Sequence, residues 1–100
     1  MQIVDSEIRK HIHLAAVFAS NFSNAMWSIA DDYLRKNTPY TLSLLEPLVY
    51  ESVRKAMKLG PNKSQTGPAR RNDHKTIDAH LQLLPSNLQN IYKVITNHII

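Results

Sequence analysis

Apolar residues recur along the first third of the chain at Ile8, Ile12, Ala15, Ala19, Phe22, Met26, Ile29 and Tyr33, in steps that alternate between four and three. That is a helical period, held for about seven turns. Phe18, Ala25, Trp27, Ala30 and Leu34 widen the apolar surface well beyond one stripe. The helix predicted over residues 5–36 is therefore apolar on most sides and reads as a central element with neighbours all round. Asp5 or Ser6 caps its start, and Asn37-Thr38-Pro39 ends it. At ~1.5 Å per residue it runs to roughly 45 Å. A helix that long in so small a domain either protrudes or is covered by a second subunit, and we favour the second.

Three shorter helices follow. Leu45, Leu48, Val49, Val53, Ala56 and Met57 carry the period of the second, which Gly60-Pro61 stops. Pro47 fits the first turn best, so residues 41–46 form a separate turn or a kinked start. A polar loop over 60–72 contains both glycines of the chain, Gly60 and Gly67. Asp73 then caps a third helix that extends to about Leu84 and turns Ile77, Leu81 and Leu84 inward. Ser86 and Gln89 have the spacing of a capping box for a fourth helix, which buries Leu88, Ile91, Ile95 and Ile99. No alternating strand pattern survives. The fold class is all-α, about four helices around one long central helix.

Composition narrows the class further. One hundred residues, 43% of them apolar, suit a single domain over 1–100 with one core. The absence of cysteine excludes disulfides and thiolate metal sites. No apolar run approaches the ~20 residues of a membrane span, and no signal peptide is visible, so a cytoplasmic protein is expected. The formal net charge of +4 permits an acidic partner without demanding one. Both ends read as cut: a helix is under way within a few residues of Met1, and the last helix stops on Ile99-Ile100.

Polar positions inside the helices give the candidate chemistry. At ~100° per residue, His13, Ser20, Asn24 and Asp31 fall within about 20° of one line, with Asn21 and Ser28 to one side. Such a ridge either faces water or turns Asn21 or Asn24 toward a substrate cleft. His80, one turn from Thr76 and between Ile77 and Leu84, is half core by position; a satisfied structural histidine is the plain alternative to a catalytic one. His11 and His13 are two apart and His74 and His80 six apart. Neither spacing stacks two ligands on one helical face, and no metal site is supported. Arg70 and Arg71 precede a helix N-terminus, where guanidinium charge and free amides both favour anions; a solvated basic loop is the alternative. No aromatic residue is interleaved there to stack bases, so nucleic acid is not expected.

Two segments together resemble a known family: HLAAVFASNFSNAMWSIADDYL, beginning at His13, and TGPARRNDHKTIDAHLQLL, beginning at Thr66. They are similar to a bacterial family with an N-terminal Rossmann-like NAD(P)-binding domain and a helical C-terminal domain of unknown function. That helical domain is itself similar to the C-terminal domains of 6-phosphogluconate dehydrogenase, β-hydroxyacid dehydrogenases and pyrroline-carboxylate reductases. The resemblance spans essentially the whole chain. Its specific parts are the alanine-rich helix with Asn21, the Thr66-Gly67-Pro68 turn, Arg71, Asp73 and His80. Asn72 stands where the family commonly has glycine, and asparagine tolerates similar backbone geometry.

The resemblance implies a long helix at the centre of the domain and of a homodimer interface. It implies a small-molecule substrate, with Asn21 and His80 as candidate catalytic residues and Thr66, Arg71, Asp73, Asn24 and His13 as candidate substrate contacts. β-Hydroxyacid dehydrogenases place a catalytic lysine one turn before the asparagine; Val17 stands there, so that proton transfer does not carry over. NAD or NADP is implied for the full-length protein only, because two isolated glycines cannot build a G-x-G-x-x-G loop. The expected role is a substrate-binding and dimerisation domain whose Rossmann partner is missing. The competing expectation is a stand-alone helical module that binds an acidic partner or nucleic acid through its basic loop.

Overall fold

The first helical run changes its winding where the apolar pattern does not. In the computed structural model, which describes residues 5–100, α1 (Ser6–Ala16) passes into a π-helical segment (Val17–Phe22) and then into α2 (Ser23–Asn37). π-Helical backbone closes i→i+5 rings, so it takes up an extra residue and shifts the angular register by on the order of 100°. The polar ridge is therefore two pieces. Asn24 and Asp31 share a line within α2, while His13 lies on α1 ahead of the shift. The segment reads smoothly as helix because an α-helical template absorbs the slip without breaking its three-four alternation.

Local chemistry sets the ends as expected. The Asp5 carboxylate accepts from the Ile8 amide at 2.8 Å, capping α1. Thr38 ends α2 in extended backbone, with its amide donating to the Leu34 carbonyl at 2.8 Å. A 3-10 turn (Leu42–Leu45) then leads into α3 (Glu46–Leu59), and Pro47 falls in the first turn of α3. Asp31 governs this junction: one carboxylate oxygen accepts from the Leu42 amide at 2.8 Å, and the other from Arg35 Nε at 2.8 Å. The Leu42 hydrogen bond first, and Arg35 next, hold the Asp31 carboxyl below its ordinary value of 3.8. Asp31 is thus a structural residue. The angular argument had grouped it with candidate cleft residues.

The chain divides into two compact units, the first ending at Tyr50 and the second Glu51–Ile100. In the first, no residue of α1, the π segment or α2 is buried. Ile8, Ile12, Phe18 and Phe22 are 48, 54, 62 and 47% exposed. The all-helical architecture with its long first helical run is as the periodicity predicts, and the apolar side chains of that run stand open within the chain.

The second unit contains the remainder of α3, a four-residue helix α4 (Pro61–Ser64), α5 (His74–Leu83) and α6 (Ser86–Ile99). Gly60 ends α3 at φ 90°, in the left-handed region that glycine adopts freely, and Pro61 opens α4 inside what read as loop. Ile77 on α5 and Ala69 before it are buried, at 6 and 8% exposure. Leu81, Leu84, Leu88 and Ile99 are half-buried, whereas Ile91 and Ile95 are exposed. The capping box at Ser86 does not form. Pro85 is the N-cap of α6 and has no side-chain acceptor, so Ser86 already lies inside the helix. Gln89 turns back instead and donates from Nε2 to the Leu81 and Leu84 carbonyls, at 2.8 and 3.1 Å. These are orphan acceptors at the end of α5, and one side chain satisfies both. All described secondary structure is helical, and no described helix is long and apolar enough to cross a membrane.

Candidate functional site

The second unit holds a hydrogen-bonded polar turn between α4 and α5. Gly67 has φ 102°, which would strain any side chain, and the backbone then folds over itself. Arg71 N donates to Gly67 O at 3.2 Å, Asn72 N to Ala69 O at 3.1 Å, and Asp73 N to Pro68 O at 2.8 Å. Asn72 takes the left-handed conformation at φ 57°, as its place in the pattern required.

This folded turn delivers Asp73 to the head of α5. Its carboxylate accepts from the Thr76 amide at 3.1 Å and from the Thr76 hydroxyl at 2.7 Å. The Thr76 contacts, hydroxyl first, hold the Asp73 carboxyl below its ordinary value of 3.8. Arg71 Nη2 stands 3.9 Å from Asp73 Oδ2, an ion pair with no hydrogen bond. Cap and turn are thus one device, with Arg71 loosely attached and largely exposed.

These two aspartates set an acid limit. Asp31 and Asp73 both ionise more readily in the folded chain than in the unfolded one. Their contribution is therefore complete above about pH 4 and is lost as pH falls through the lowered native values. Urea unfolding between about pH 6 and pH 3 should show stability falling below about pH 4. The fall should be shallower in Asp73→Asn, and equal slopes would remove Asp73 as a source.

His80 does not reach the Asp73 cluster. Its Nδ1 lies 2.7 Å from the Tyr92 hydroxyl on α6, and the rings meet edge-to-face with centroids 5.8 Å apart. The imidazole is exposed, so its half-core placement gives way to a surface position held by one partner. Partial burial pushes the Tyr92 phenol up from its ordinary value of 10.0. Tyr92 also lines a groove of about 210 Å³ against the turn, with Thr66, Gly67, Pro68 and Ala69 on one side and Ile95, Thr96 and Ile99 on the other. Sequence reasoning missed Tyr92. Its position one turn after Leu88, beside the apolar stripe of the last helix, was the available signal.

A second hollow of about 240 Å³ is lined by Asn62, Gln65, Arg70, His98 and Ile99. Arg70 therefore parts from Arg71, which pairs with Asp73.

In the first unit, Asn21 is in the π segment, and Asn24 and His13 lie on α2 and α1. All three are exposed and have no side-chain partner among the described residues. π-Helical segments occur often at functional sites, which gives Asn21 a structural distinction that its spacing did not. Val17 is also in this segment, so the position of the missing lysine is π-helical too. A further groove of about 330 Å³ in this unit is lined by Trp27, Leu42, Ser43, Glu46, Val49 and Tyr50. Among the described residues, no three histidines and carboxylates converge.

Residues 1–99 match the domain of unknown function DUF2520. The chain belongs to this family. It is also similar to a solved structure from Bacteroides fragilis described as a "putative NADP oxidoreductase", at 40% identity and a TM-score of 0.91. That match covers 96% of this chain and 38% of the other, so the chain spans well under half the length of its relative. No curated protein matches. The DUF2520 domain is thus a helical domain tied to an oxidoreductase family.

Proposed function

We propose that this DUF2520 chain is the substrate-binding and dimerisation part of an NADP-dependent oxidoreductase whose Rossmann-like domain lies outside it. The observation that carries the reading is the 40% identity over 96% of the chain to a protein named for NADP oxidoreduction, of which this chain spans 38%. The substrate is a small molecule. Thr66, Arg71, Asp73 and His80 are its contacts, all within the second unit; within the first, Asn21, Asn24 and His13 form a separate set of unpartnered polar groups. Asp73 acts by fixing the turn and the head of α5, whereas Arg71 and His80 are exposed and free to touch substrate. The bare apolar face of the α1–α2 run supports the dimerisation role, because contiguous exposed apolar surface of this kind marks an interaction site. A cytoplasmic location goes with this reading.

Calorimetric titration with NADPH tests the division of labour. The full-length protein should bind with a micromolar dissociation constant and residues 1–100 alone should not, because no phosphate-cradling glycine loop is present in them. Micromolar binding to residues 1–100 overturns it. The alternative, a stand-alone module with an acidic partner, is favoured only by the polar hollow around Arg70 and His98. It gains if the full-length protein ignores NADPH as well.

A further inference from the structure

We propose that Tyr92 is the positioning residue for His80: its hydroxyl donates to Nδ1, so the imidazole carries its proton on Nε2 and offers that N–H to an oxygen acceptor of the ligand. The inference rests on the reading above in taking His80 as a substrate contact. It adds a residue which that reading did not contain, and a chemical class for the group recognised.

The argument starts from the 2.7 Å separation between Nδ1 and the phenol oxygen. Either atom could in principle donate, because a phenol can give or accept and a neutral imidazole has one nitrogen of each kind. Acidity decides the direction. The phenol O–H is the stronger donor of the two, and an unprotonated ring nitrogen is a better acceptor than a phenol oxygen. The separation is at the short end for a hydrogen bond and suits O–H donation. Desolvation pushes Tyr92 upward, which keeps the phenol protonated and able to donate. The edge-to-face packing of the rings, at 87°, limits rotation of the imidazole away from this partner.

The consequence lies at the other nitrogen. His80 is exposed, and no other side-chain or backbone partner is seen for it among the described residues. With Nδ1 engaged as an acceptor, the open nitrogen is Nε2, and in the neutral ring it can only donate. It therefore selects a carbonyl, hydroxyl or carboxylate oxygen and rejects an ammonium. The same tyrosine walls the groove under the Thr66–Ala69 turn, whose other lining from α6 is Ile95, Thr96 and Ile99. An oxygen-bearing head matches the open Nε2; His80 itself does not line the groove, so a short apolar body on such a ligand would reach it only past Tyr92.

The test uses the full-length protein with 15N-labelled histidine in mildly alkaline buffer. The His80 signals are identified by their loss in His80→Gln. In the wild type, long-range proton–nitrogen spectra should show Nε2 protonated and Nδ1 shifted as a hydrogen-bond acceptor. Tyr92→Phe keeps the ring and the groove wall; it should release the Nδ1 shift and admit the second tautomer while the melting temperature stays near that of the wild type. Butyrate at millimolar concentration is the ligand probe, with butylamine as its cationic counterpart. Butyrate should move the His80 and Tyr92 signals, butylamine should not, and Tyr92→Phe should weaken the butyrate response by about 3- to 10-fold. A protonated Nδ1 in the wild type, a His80 spectrum indifferent to Tyr92→Phe, or a response to butylamine in place of butyrate overturns the proposal. If Tyr92→Phe does not fold, the wild-type tautomer and the two probes decide it. Since none of these readings needs turnover, failure of the oxidoreductase reading is separable: it shows as absent NADPH binding.

Discussion

His80→Gln in the full-length protein should lower turnover by about 10²- to 10⁴-fold, the usual weight of a positioned proton donor or acceptor. NADPH affinity should stay within about twofold, because the proposed function puts the nucleotide site outside this chain. Glutamine keeps a polar side chain of similar reach, and the imidazole it replaces is exposed, so little packing is lost. The measurement is kcat for NADPH oxidation with a carbonyl compound returned by a substrate screen, beside an NADPH titration of the same variant. Arg71→Ala should act more weakly, since Arg71 is tied to Asp73 only by the 3.9 Å ion pair. Unchanged turnover in His80→Gln would remove this residue from the catalytic candidates.

The full-length protein should sediment as a dimer at micromolar concentration, and Phe18→Asp should weaken that dimer by at least about 30-fold. Phe18 is 62% exposed and forms an edge-to-face pair with Phe22 at 5.0 Å, where Phe22 is 47% exposed. Two large rings side by side on a helix with no buried residue are suited to be anchors of an interface. A carboxylate in place of Phe18 would be desolvated in that interface without a partner. The variant removes little from the fold of the protomer, because Phe18 is exposed within it. A wild-type monomer at micromolar concentration, or a dimer indifferent to Phe18→Asp, would overturn the assignment of this face to dimerisation.

Much of this protein is decided within a few residues of chain. Asp5, Pro39, Gly60 and Asp73 set helix ends through a cap, a stop or a positive φ, and each acts on amides or dihedrals in its own turn. The three-four alternation made the helices legible for the same reason: it reports which face of one helix is apolar. The Thr66-Gly67-Pro68 turn with Asn72 and Asp73 was legible too, since its hydrogen bonds span only two to five residues. Tertiary structure decided the rest. Asp31 meets the Leu42 amide eleven residues away, Gln89 reaches the Leu81 carbonyl eight residues back, and His80 meets Tyr92 across twelve. No periodic rule couples such positions, because they belong to different helices or to a helix and the turn beyond it. Their separation depends on where the intervening backbone turns. The π segment escaped for a different reason: one extra residue in a turn costs the pattern nothing that a smeared apolar face reveals, yet it rotates every later side chain.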